Sequence, residues 1–145
     1  MKAKFVIGLL LIGAISFSSC SKDNPSTTDR LVGDWEISFF SLNANVIPSS
    51  VNLQLELDDD GEFTLTLTEQ GEGSLFFSGE WEVDENKQEL ELNYEINPSF
   101  YVGLIGNALG QSIPREEYEI DLDGDELVLD GNISGISVVM EYDRD

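Results

Sequence analysis

The sequence predicts an all-β domain in which eight short antiparallel strands follow one another and close into an up-and-down barrel. Three observations predict it. From residue 31 to residue 142, apolar side chains recur at every second position, the period of strands with one buried face. Turn-forming stretches such as "DDDG" (residues 58–61) and "DGD" (123–125) separate these runs at hairpin distance. Strands with one apolar face cannot remain an open sheet with two exposed edges, and closure removes the edges while burying that face. An immunoglobulin-like β-sandwich is the alternative for the same pattern, but tight sequential hairpins favour the barrel.

The chain opens with Lys2 and Lys4, an apolar run over residues 5–17, and then Ser18 and Ser19 before Cys20. A basic start, a short apolar core and small residues at the end make an export signal. The core is too short to span a membrane, which takes about 20 residues. Residues 1–19 are therefore read as a signal peptide. Cys20 is the one cysteine in 145 residues, so a disulfide within the chain is excluded. An export signal ending on a cysteine resembles the lipobox of bacterial lipoproteins, with Phe17 standing where the family prefers Leu. The resemblance implies cleavage before Cys20 and attachment of lipid there, and two or more acyl chains anchor a protein stably at about 0.8 kcal/mol per buried CH₂. "SKDN" (21–24) is similar to the short lysine and acidic tract that directs such lipoproteins outward. The expected address is the bacterial outer membrane, facing the exterior.

Residues 20–29 are small, polar and broken by Pro25, and read as a lipidated flexible tether. Residues 30–145 are the expected barrel domain. Removing 19 of 145 residues leaves 126, enough for one domain with a real core. It also takes away Lys2 and Lys4, so the formal charge moves from −22 to −24. That surface repels phosphates and anionic headgroups, which argues against nucleic acid as a partner. The membrane is met only through the N-terminal lipid, and a monomer is expected.

The strands follow in order. "LVGDWEISFF" places Leu31, Gly33, Trp35, Ile37 and Phe39 on one face. "VNLQLEL" aligns Val51, Leu53, Leu55 and Leu57, and "EFTLTLT" aligns Phe63, Leu65 and Leu67, with Gly61 available for the turn between them. "SLFFSGEWEV" aligns Leu75, Phe77, Gly79, Trp81 and Val83, while "QELELNYEI" aligns Leu90, Leu92, Tyr94 and Ile96. "EYEIDL" aligns Tyr118, Ile120 and Leu122, "ELVLD" aligns Leu127 and Leu129, and "ISVVMEY" aligns Ile136, Val138, Met140 and Tyr142. Residues 97–114 break the pattern, being glycine-rich and uncharged, with Phe100, Tyr101 and Leu104 able to share a face. So long a connection between neighbouring strands suggests a lid or binding loop.

"LVGDWEIS", "LELDDDGEFTLTL", "GEWEVDENKQELEL" and "DGDELVL" together resemble the lipocalin-like domains of bacterial surface lipoproteins. The resemblance covers residues 31–129 and implies the barrel. It also implies structural roles for Gly33 and Trp35, with Trp35 lying across the barrel floor, and for Arg144, packed over the Trp35 ring.

There is no histidine, which removes Ser-His-Asp and Cys-His catalysis and the common zinc and copper sites. Among 29 acidic residues some pair will fall at a glycosidase separation, so only a carboxylate inside the barrel would carry meaning. No catalytic residue is assigned and no enzyme, metal or cofactor is expected. "DLDGDE" (121–126) places Gly124 fourth where a calcium loop needs it sixth, and "DDDGE" (58–62) is no closer, so both read as solvated turns. What remains is the barrel interior, with Phe39, Phe63, Phe77, Trp81, Tyr94 and Tyr118 as core or ligand-pocket residues. The functional expectation is a binder of a small apolar or amphipathic ligand. The alternative is an interaction module that meets a protein partner in a surface nutrient-uptake complex, and a protease inhibitor on the same fold is a third reading.

Overall fold

The computed structural model describes residues 24–71, 73–95, 115–133 and 135–145. They form a short helix α1 (Thr27–Leu31) and the strands β1 (Gly33–Leu42), β2 (Asn45–Val46), β3 (Val51–Leu57), β4 (Glu62–Glu69), β5 (Gly73–Asp84), β6 (Glu89–Tyr94), β7 (Arg115–Asp123), β8 (Glu126–Ile133) and β9 (Ile136–Arg144). All pairings are antiparallel, and β3 to β9 are neighbours in chain order. β1 closes the sheet by pairing with β3 through residues 33–36 and with β9 through residues 35–42. The result is a closed eight-stranded barrel, with β2 a two-residue addition to β1. Because β1 belongs to both edges, the sandwich alternative does not apply.

The alternation determines which face is inside. Leu53, Leu55 and Leu57 of β3 meet Leu67, Leu65 and Phe63 of β4 in register, and all six are buried. Leu127 and Leu129 of β8 likewise meet Tyr142 and Met140 of β9. A period-two pattern can bury one face only in one register, since a one-residue slip would turn every leucine outward.

β1 departs from the expectation. Ile37 pairs with Tyr142 and Phe39 with Glu141, so β1 carries one residue more than β9 at this point. The extra residue is Ser38, whose Oγ donates to the Glu141 carbonyl at 3.1 Å. This bulge inverts the parity of the rest of the strand. Phe40 and Leu42 face the core in place of Phe39, which is only half-buried. The assignment of Phe39 to the interior is corrected accordingly.

Residues 26–29, expected from the sequence to belong to a flexible tether, are instead part of a capped helix. Ser26 and Asp29 form a reciprocal capping box on α1, with Ser26 Oγ accepting from the Asp29 amide at 3.0 Å and Asp29 accepting from the Ser26 amide at 3.2 Å. The Glu85 carboxylate, in the turn between β5 and β6, accepts from the amides of Thr27 and Thr28 at 3.2 and 2.9 Å. These bonds hold its pKa down at about 2, against an ordinary 4.5. α1 thereby delivers Leu31, fully buried, to one end of the barrel.

That end is a sealed floor. The Trp35 indole donates to the Leu31 carbonyl at 2.8 Å, and the Arg144 guanidinium lies 4.3 Å from the Trp35 ring centre. Arg144 also donates to the carbonyls of Val32, at 2.9 Å, and Arg30. Gly33 is needed beside it twice over. Its φ of +139° disfavours a side chain, and a Cβ there would stand 2.7 Å from the Arg144 Nη1. Trp81 completes this end by donating to the Asp58 carbonyl at 3.0 Å in the β3–β4 turn. The turn itself is an ordinary acidic hairpin, with Gly61 at φ +88° and Asp60 accepting from the Glu62 amide.

Candidate functional site

The opposite end of the barrel is where β6 stops at Tyr94 and β7 begins at Arg115; residues 96–114 join them and lie outside the described residues. Glu116, second residue of β7, shares the parity of Tyr118 and is therefore carried inside the barrel. It is 2 % exposed, and is the one charged side chain buried among the described residues.

A buried carboxylate is costly unless hydrogen-bonded. Tyr94 and Tyr118 meet that requirement, each donating its hydroxyl to Glu116 Oε2, at 2.9 and 2.7 Å. Two glycines make room for Tyr118 and for Phe63, the ring that packs on Tyr94. A Cβ on Gly131, which pairs with Tyr118 across β7 and β8, would come within 2.7 Å of the Tyr118 ring. A Cβ on Gly79, opposite both Phe63 and Tyr94, would come within 2.9 Å of the Phe63 ring. Phe63 packs edge-on against Tyr94 with ring centres 5.0 Å apart. Tyr142 adds a third buried hydroxyl, which donates to Met140 Sδ at 3.3 Å. Burial first, and the negative charge of Glu116 second, push the Tyr142 hydroxyl far above its ordinary pKa.

The arrangement is an apolar barrel interior with one oriented carboxylate near the end of β6 and the start of β7. Beyond it β5 continues for several residues along β4 alone, among the described pairings. On that stretch Phe77 is half-buried, Leu75 is 55 % exposed although its parity is inward, and Phe76 is 72 % exposed on the outer face. An apolar lip above a buried polar group is the layout that suits an amphipathic molecule.

Of the interior residues expected from the sequence, Phe63, Trp81, Tyr94 and Tyr118 are buried together. Phe77 stands at the lip and Phe39 outside the core. Phe100, Tyr101, Leu104 and Cys20 lie outside the described residues. Glu116 escapes a search for alternating apolar residues because the strand is entered at Tyr118. Its signal is parity with Tyr118, Ile120 and Leu122. Among the described residues no three acidic or cysteine side chains converge to hold a metal ion. No described helix is long and apolar enough to cross a membrane.

A closed meander of eight strands with this tryptophan-arginine floor is a lipocalin-like barrel. The chain is similar to a lipocalin-like protein from Bacteroides uniformis, with TM-score 0.57 and 14% identity over 79% of this chain and 98% of that one. It is also similar to an uncharacterized protein from Bacteroides eggerthii, with TM-score 0.51 and 14% identity over 76% and 97% of the two chains. At that identity the likeness is one of fold. No protein family model matches the chain, and no curated protein does.

Proposed function

We propose that this protein is a lipid-anchored lipoprotein of the bacterial outer membrane, displayed outward, whose barrel takes a small amphipathic ligand through the end at which β6 stops and β7 begins. The Tyr94–Glu116–Tyr118 cluster carries the reading. A filled apolar core of the same shape would be as stable or more so, so a buried carboxylate with dedicated hydroxyl partners is best explained by what it recognises. Binding without catalysis is the reading that the lack of histidine in the sequence favours. The lipid anchor rests on Cys20 and the export signal before it.

Native mass spectrometry of protein purified from its own host tests the pocket. A reproducible co-purifying small molecule supports it, and repeated absence alongside a stable protein partner favours an interaction module that uses exposed Phe76 and Val46. Growth with radiolabelled palmitate tests the anchor. Cys20→Ala is expected to lose the label and leave the membrane fraction, and a labelled Cys20→Ala protein would contradict the assignment.

A further inference from the structure

We infer that the barrel stands on its floor: the lipidated N-terminus holds the Trp35 and Arg144 end towards the bilayer and turns the opposite end outward, so that a ligand arrives from the aqueous medium and not from the lipid. This rests on the proposed lipid attachment at Cys20, and it adds the direction in which the barrel opens.

The chain enters the barrel at the floor and is fastened there from several sides. Thr27 and Thr28 donate their amides to Glu85 in the turn between β5 and β6. The Arg30 guanidinium donates to the Leu122 carbonyl, near the end of β7, at 2.9 Å. Arg144, at the end of β9, holds the carbonyls of Arg30 and Val32, and Leu31 between them is fully buried. Residues 27–32 therefore form no hinge while the barrel is folded, and any swing of the domain has to come from the residues before them.

Those residues are few. Cys20 and Ser26 are six peptide steps apart, a reach of at most about 22 Å whatever path the chain takes. β5 runs the length of the barrel in 12 residues, Gly73–Asp84, and at about 3.3 Å per residue with a tilt of about 40° it rises by about 28 Å. Turning the barrel over would lift the floor by that height from the lipid surface, which is more than the tether spans. Lying on one side is opposed by charge. Glu56 on β3, Glu82 on β5, Glu117 on β7 and Glu141 on β9 are all exposed, so every wall presents carboxylates to an anionic lipid surface. The floor turns are acidic too, with Asp59 and Asp125 exposed. That repulsion fades within about 8 Å at physiological salt, well inside the reach of the tether, so the floor stands off the surface without turning away.

Energy transfer on vesicles tests this. The acylated protein, purified from its host's membranes, is added to vesicles of phosphatidylethanolamine and phosphatidylglycerol with an acceptor dye on some headgroups. A donor dye is placed on one introduced cysteine, which is the single free thiol once Cys20 is acylated. Transfer is expected to be strong from Asp59→Cys, in the floor turn between β3 and β4, and weak from Gln70→Cys, in the turn between β4 and β5 at the other end. Inserting about 20 Gly-Ser residues between Asp23 and Asn24, with an r.m.s. span of about 25 Å, is expected to shrink that contrast. Equal transfer from the two positions of acylated, vesicle-bound protein, or stronger transfer from Gln70→Cys, would overturn the orientation and leave the anchor standing. A contrast that survives the insertion would mean that the floor itself binds lipid, and would overturn the role given to the tether. If Cys20 carries no acyl group and the protein does not stay with the vesicles, the anchor proposal falls and the orientation falls with it.

Discussion

At the floor, Trp35 is tied to a backbone carbonyl and covered by a guanidinium that is itself anchored to two further carbonyls. At the mouth end, Tyr94 and Tyr118 are tied to a carboxylate. Both clusters set a charged side chain against buried aromatic rings, yet they solve different problems. The floor places a cation over an indole and spends its donors on strand and helix ends that need acceptors satisfied, so each bond also closes the barrel. The mouth buries a carboxylate that takes two tyrosine hydroxyls on one of its oxygens, a polar cluster in a place where apolar side chains would serve the core as well. The floor serves the fold, and the opposite end is where the proposed binding would take place.

Removing a floor residue should therefore hurt most. Trp35→Ala deletes a ring that is 1 % exposed together with its hydrogen bond and its arginine cover, and should cost about 3–5 kcal/mol in urea unfolding. A loss below about 1 kcal/mol, the scale of a surface change, would break the comparison. Gly33→Ala comes next, at about 1–3 kcal/mol, because the new Cβ meets both an unfavourable φ and the Arg144 guanidinium. If strain is the cause, pairing it with Arg144→Ala should give a non-additive sum in a double-mutant cycle.

At the mouth the triple variant Tyr94→Phe, Glu116→Leu, Tyr118→Phe should leave stability within about 1 kcal/mol of the parent or raise it, since polar partners are replaced together by apolar groups of similar shape. Ligand binding should be lost. A triple variant that unfolds would mean that this cluster, like the floor, serves the fold.

The smallest effect concerns the attachment of α1. Glu85 has its pKa lowered to about 2 in the folded protein by Thr28 and Thr27, so its contribution is present above the ordinary value of 4.5 and is lost as pH falls towards 2. Amide exchange at Thr27 and Thr28 should quicken over that window, and Glu85→Gln should remove the pH dependence.

Much of the floor was legible in the sequence because its residues obey local rules: alternation places Trp35, and the motif resemblance places Gly33 and Arg144 beside it. The error at Phe39 has a clear cause. Phe39 and Phe40 are adjacent aromatics, so composition cannot say which faces inward, and the choice is made by a bulge set through pairing with β9. α1 was missed because five residues show no helical period, although Ser26 and Asp29 have capping-box spacing. Glu116 was hidden for a different reason. Hydrophobic patterning discards charged residues, and a functional site is where a sequence departs from the pattern that builds its fold.

The division between the two ends can be read in one titration. Amide and indole resonances of the ¹⁵N-labelled protein, followed as the amphipathic probe 1-octanol is added, should shift at Tyr94, Glu116, Tyr118 and Leu75, and the Trp35 and Trp81 indole signals should stay in place. Shifts confined to the indoles, or to the outward glutamates of β5, β6 and β7, would contradict the account.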